Sequence, residues 1–151
     1  MTRLLSPGTY GFDAVEPGDG WTTGEAEITA AMIDSFAEVS GDRFAIHMDD
    51  AAAQDYGFPG RVAHGLLVLS VVDGLKNGAA VQLDAVASLG WEWSFRRPVL
   101  VGDVLAARIE VLTKRATSRP DRGIVGLGFE VTNRSGETVQ DGRNQLMVWR
   151  R

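Results

Sequence analysis

Past Gly78 the chain alternates. Gln82 to Phe95, Asp103 to Thr117, Gly123 to Asn133 and Glu137 to Trp149 are four long segments of period-2 character, as expected of strands with one buried and one exposed face. In the second, Leu105, Ala107, Ile109 and Val111 share a side. In the third, Val125, Leu127, Phe129 and Val131 oppose Gly126, Gly128 and Glu130. Turn signals separate the segments at Arg97-Pro98, Gly102-Asp103, Pro120-Asp121 and Ser135-Gly136. Long strands joined by short turns build an antiparallel sheet, whose apolar face must be covered. The best cover upstream is His64 to Leu75, apolar at nearly every position except Ser70 and Asp73. Its length predicts a helix despite Val68, Val71 and Val72, and apolarity on every face predicts burial on all sides.

The resulting expectation is an α+β hotdog fold, an antiparallel sheet wrapped around one long buried helix, in a single domain over residues 1–151. The Gly- and Pro-rich first 20 residues are expected to wrap the surface. Trp21 to Ile28 reads as a first strand. Thr29 then caps a helix over Ala30 to Val39, with Ile28 and Ile33 as a staple and Gly41 as the stop. Met48 to Tyr56 reads as another short helix, starting at Asp49 or Asp50 and stopped by Gly57. A net charge of −5 with a pI near 5.0 and no dominant basic patch speaks against nucleic acid as a partner. No stretch approaches the roughly 20 apolar residues of a membrane span, and the N-terminus lacks the apolar core of a signal peptide. Cysteine is absent, which excludes thiolate chemistry and suits a reducing compartment. A cytoplasmic location follows as the expectation.

The titratable residues concentrate in Ser40 to Leu75. Both histidines, His47 and His64, lie there, and Asp42 precedes His47 within a turn-like Ser-Gly-Asp start. A Pro-Gly break then leads into the apolar run. An acid and a base beside the start of a buried helix suit proton transfer to and from a bound carbonyl compound, although an isolated Asp/His pair is more often structural than catalytic. No cluster has metal-ligand spacing, and no Gly-rich nucleotide loop follows a strand. Lys114, Arg115, Arg119 and Arg122 read as a solvated hairpin loop before they read as a phosphate contact.

In order and spacing, SGDRFAIHMD, FPGRVAHGLL and WSFRRPVLVGD resemble the MaoC-like dehydratase family, which includes the (R)-specific enoyl-CoA hydratases. The family pattern S/T-G-D-x-N-P-I/L-H sets Asp42 at the acid position and His47 at the base position. Ala63-His64-Gly65 matches the start of the family's central helix, and Phe95 to Asp103 its F-x-x-P-V-x-x-G-D turn. The pattern's Asn-Pro is replaced by Phe44-Ala45, a departure similar to that of the NodN-like branch. The resemblance implies reversible syn addition of water to a trans-2-enoyl thioester, giving a (3R)-hydroxyacyl thioester. The carrier would be coenzyme A or an acyl carrier protein, with no metal or redox cofactor, in a homodimer or higher homo-oligomer. His47 would take a proton from the attacking water. Asp42, its pKa raised by burial, would orient that water and return a proton to the α-carbon. The Gly65 N–H, aided by the helix dipole, would bind the thioester oxygen. Phe44, Phe58 and His64 are candidates for the acyl lining, with His64 also packing or hydrogen-bonding to fix the loop. Two alternatives remain: a hotdog acyl-CoA thioesterase using Asp73 on the central helix, and a non-catalytic acyl-CoA-binding module.

Overall fold

The alternation past Gly78 is realised as an antiparallel run of four long strands. In the computed structural model, which describes Met1–Arg151, the elements are β1 (Arg3–Leu4), β2 (Gly8–Tyr10), β3 (Asp19–Thr22), β4 (Ala26–Glu27), α1 (Ala30–Ser40), α2 (Ala45–Met48), α3 (Asp50–Asp55), α4 (Gly65–Asn77), β5 (Val81–Leu83), β6 (Ala85–Phe95), β7 (Val104–Ala116), β8 (Arg122–Thr132) and β9 (Thr138–Trp149), with a 3₁₀ turn at Phe12–Ala14. The main sheet is ordered β1-β3-β7-β8-β9-β6, with β4 pairing separately onto β7, while β2 and β5 form a parallel pair apart. The central helix α4 lies across this sheet in the hotdog arrangement. No helix is long and apolar enough to cross a membrane.

Local signals account for most boundaries. Thr29 caps α1 by accepting the Met32 N–H at 3.2 Å, and Gly41 ends it with φ 76°, a conformation that suits glycine. The short helix expected from Asp49 or Asp50 is α3, capped by the Asp49 carboxylate, and a separate turn of helix, α2, precedes it. Three expectations need correcting. The first strand is two pieces, β3 and β4, both hydrogen-bonded to β7 and separated by three irregular residues, Thr23 to Glu25. The central helix is not buried all round: Leu67, Val68, Val72 and Lys76 are buried, but Leu66 is 61% exposed and Ser70 is exposed. One sheet can cover only one side of a helix. The first 20 residues do more than wrap the surface, because Leu5, Phe12 and Val15 join the core cluster.

Two buried amides on β9 fasten α4 to the sheet. Gln140 donates to the Gly65 carbonyl at 3.2 Å and accepts from the Trp93 indole at 2.7 Å. Asn144, on the same face of β9, accepts from Lys76 at 3.4 Å and donates to Ser88 and the Gly90 carbonyl, both at 2.9 Å. The first link requires Gly142, which pairs with Trp93 across the strands. A Cβ there would overlap the Glu92 carbonyl oxygen and lie 2.5 Å from the Trp93 ring. Gly142→Ala should therefore cost about 3 kcal/mol or more, as overpacking against backbone does. Gly74→Ala, in the exposed interior of α4 with nothing near its Cβ, should gain ~0.5–1 kcal/mol. Urea unfolding of the two variants checks both signs.

Candidate active site

The site is assembled where Arg61, Val62 and Ala63 thread between α2 and the turn after β6. Val62 N–H donates to the Ile46 carbonyl at 3.0 Å and Ala63 N–H to the Val99 carbonyl at 2.7 Å, while Val62 bridges to Leu100. Arg61 ties three helices together. Its Nε donates to the His47 carbonyl at 2.6 Å, its guanidinium pairs with Asp34 of α1, and its backbone N–H meets the Asp50 carboxylate at 2.9 Å. Against this frame the His47 ring is buried, with Nδ1 2.6 Å from the Val62 carbonyl. A carbonyl only accepts, so Nδ1 carries the hydrogen and Nε2 presents its lone pair. Burial pushes the His47 pKa below its ordinary value of 6.5. His64 and Arg61 reinforce the shift, against opposing contributions from the Val62 carbonyl and Asp42.

Asp42 stands in the loop between α1 and α2. Its N–H donates to Ser40 Oγ at 3.1 Å, and its Oδ1 accepts the Phe44 N–H, also at 3.1 Å. Phe44 is the N-cap residue of α2, so Ala45 takes the first helical position, where the family pattern has proline. Proline is favoured there, and alanine keeps the helix without it. A carboxylate oxygen of Asp42 and one ring nitrogen each of His47 and His64 lie within 4.8 Å of one another. One water with hydrogen bonds of ~2.8 Å to two groups spans about 4.6 Å between them, so the acid and base can share a single water. Asp42 is exposed. The burial expected of it is absent, because it stands within an exposed run, Ser40 to Ala45.

His64 is buried behind His47, its ring stacked at 4.0 Å between centroids and 27° between planes. The spacing of the three groups would admit a cation. However, rings stacked face to face send their in-plane lone pairs side by side rather than to one point, which is poor geometry for chelation.

A cavity of about 310 Å³ opens at the N-terminus of α4. His47, Phe58 and Gly65 line it; Asp42, Phe44 and His64 do not. Phe44 instead sets its ring edge-on to His47 at 6.0 Å and to Tyr56 at 5.8 Å. Gly65 is the first residue of α4, so its N–H has no partner within the helix. A Cβ on it would overlap the Phe95 ring. Arg96, Arg97 and Gln140 also line the cavity and were missed in the sequence. Gln140 carried a signal, a polar residue in phase with the apolar face of its strand. The Lys114–Arg122 basic hairpin lies at the opposite end of the sheet. Lys114 donates there to the Phe12 and Val15 carbonyls, and Arg122 pairs with Asp121.

Residues 14–133 match the family described as the MaoC like domain. The chain belongs to the MaoC-like family. It is 38% identical over 112 residues to protein MaoC of Klebsiella aerogenes, covering 74% of this chain but 32% of that protein. To the (R)-specific enoyl-CoA hydratase of Aeromonas caviae it is 33% identical over 113 residues, covering 75% of this chain and 81% of that one. Among solved structures, the MaoC-like dehydratase from Rhodospirillum rubrum superposes with a TM-score of 0.84 at 29% identity, over 93% of this chain and 97% of that one. The match spans a third of the Klebsiella protein but most of the Aeromonas and Rhodospirillum chains.

For this MaoC-like chain the buried base has a consequence for stability. An imidazole with a depressed folded-state pKa binds its proton more readily unfolded. Its contribution is therefore intact above 6.5, the ordinary value, and is lost as pH falls from there toward the depressed value. Stability should drop between pH 7 and pH 5 (a range of about two units around the ordinary value). Urea midpoints across that range should fall less steeply in His47→Gln.

Proposed function

We propose that the chain is an acyl-thioester hydratase/dehydratase that adds water reversibly to a trans-2-enoyl thioester, giving the (3R)-hydroxyacyl thioester. The observation that carries this reading is the placing of a His47 ring nitrogen and an Asp42 carboxylate oxygen within 4.8 Å, one water's span, with His47 and Gly65 lining the same cavity. His47 removes a proton from the shared water as its oxygen bonds to the β-carbon. The π electrons move toward the thioester, and the Gly65 N–H at the positive end of α4 stabilises the enolate oxygen. Asp42, in its protonated form, then delivers a proton to the α-carbon from the side on which the water stood. Passage of the proton from imidazolium to carboxylate resets the pair. In dehydration every step runs backwards.

Phe58 and Phe95 supply apolar lining for an acyl group. Arg96 and Arg97 are each half-exposed, and each pairs with one carboxylate, Asp141 and Glu137. Guanidinium donors remain for the phosphates of a carrier, coenzyme A or an acyl carrier protein's prosthetic arm. The thioesterase reading loses support because Asp73 lies two turns from Gly65, ~12 Å along the helix. Asp73 is also ion-paired to Lys76 at 2.8 Å and lines a different cavity.

Hydration of a panel of short, branched and medium trans-2-enoyl-CoAs, followed by loss of the conjugated absorbance, tests the reading. Asp42→Asn and His47→Ala should each lower kcat by about 10²–10⁴-fold, the usual worth of acid–base catalysis, with folding intact. Binding of acyl-CoA with no turnover across the panel would leave a binding module instead.

We also propose a homodimer joined along β6. That strand is an outer strand of the sheet, is eleven residues long, and carries exposed Leu89 and Phe95. A long apolar edge of this kind calls for a partner. The chain of 16.3 kDa should sediment at about twice its mass, and a monomer at micromolar concentration would reject the idea. A cytoplasmic location fits the absence of cysteine, and cell fractionation would check it.

A further inference from the structure

His64 is not needed as a proton carrier in the reaction above, yet it touches every part of the site. Its Nε2 lies 2.8 Å from the Asp42 carbonyl. One face stacks on His47 at 4.0 Å, and Phe36 of α1 lies at 4.9 Å. Its backbone is the N-cap of α4, immediately before Gly65. We propose that His64 is a positioning residue that, as the Nε2–H tautomer, aligns the acid loop and the base through one ring, next to the oxyanion donor. The catalytic part of this rests on the hydratase reading, whereas the tautomer stands on geometry alone.

The tautomer follows from the partners. The Asp42 carbonyl can only accept, so Nε2 donates to it. Nδ1 is left bare, sealed from solvent and with no hydrogen-bond partner. The residue is only 2% exposed. The two imidazoles therefore differ in kind. His47 holds its hydrogen on Nδ1, against the Val62 carbonyl, and leaves Nε2 bare, while His64 holds its hydrogen on Nε2 and gives it to the Asp42 carbonyl.

The hydrogen bond to the Asp42 carbonyl fixes where the acid loop stands relative to the ring stacked on the same side chain. A displacement of about 1 Å between acid and base is enough to cost roughly 10²-fold in rate.

The chain has just two histidines, so ¹⁵N-histidine labelling of the full-length protein yields two ring systems, told apart by one variant. The expected spectrum shows opposite neutral tautomers at pH 7.5 (a degree of alkalinity about one unit above the free imidazole value). A His64 that shows the Nδ1–H tautomer overturns the proposal whether or not the protein hydrates enoyl thioesters. Kinetics then separate alignment from mere packing. His64→Phe keeps an aromatic ring against His47 and loses the N–H. It should lower kcat by roughly 10–100-fold with KM little changed, in line with a small misplacement, while the Nδ1–H tautomer of His47 persists. His64→Gln, which restores a donor, should recover part of that loss. Full activity in His64→Phe would reduce the residue to packing and reject its alignment role. If instead the wild type hydrates nothing but shows the opposite tautomers, the hydratase reading and the alignment role fail, and the tautomer assignment stands.

Discussion

The start of α4 depends on a hydrogen bond between two groups that both lie out of water, the Gln140 amide and the Gly65 carbonyl. An unmet amide in an apolar core costs about 1–3 kcal/mol, so Gln140 is tolerated on the buried face of β9 only because Gly65 and Trp93 satisfy it. That requirement fixes where the helix begins along the sheet. The Ala63 N–H, bound to the Val99 carbonyl, fixes the same point from the other side. The helix N-terminus is thereby held between β9 and the turn after β6, and the cavity forms at that junction.

The far end of the helix repeats the device with a charge. Lys76 is buried and shares Asp73 and Asn144, with the face of Trp91 at 5.4 Å. Buried ion pairs seldom add much net stability, because desolvation offsets attraction. Their partners are nonetheless demanding, and a lysine that must meet Asn144 leaves α4 little freedom to slide along β9. Polar groups in this core specify register more than they add stability. The apolar cluster around Val68, Val72, Val125 and Leu127 supplies the driving force.

The two candidate catalytic groups stand in contrasting environments. His47 is enclosed by the frame that Arg61 organises, which holds its ring, and burial lowers its affinity for a proton. Asp42 stands on an exposed loop, restrained by short-range backbone hydrogen bonds and by His64.

By itself the sequence determined the sheet and the central helix, because period-2 alternation and an unbroken apolar run leave few ways to hide apolar surface. The caps at Thr29 and Gly41 were legible for the same local reason. Asp42, His47 and Gly65 were legible through the order of three motifs rather than through any physical property of the residues taken singly. Tertiary structure decided the rest. Whether α4 was buried on one side or all round depended on how much sheet was available to cover it, and Leu66 lies where no cover reaches. That Asp42 is exposed, that Phe44 and His64 stand outside the cavity, and that Gln140, Arg96 and Arg97 line it follow from contacts between segments remote in the chain. Periodicity reports which face of an element is apolar. It carries no information about which partner meets that face, and the ring nitrogen that each histidine turns to a carbonyl, of Val62 or of Asp42, depends on such partners.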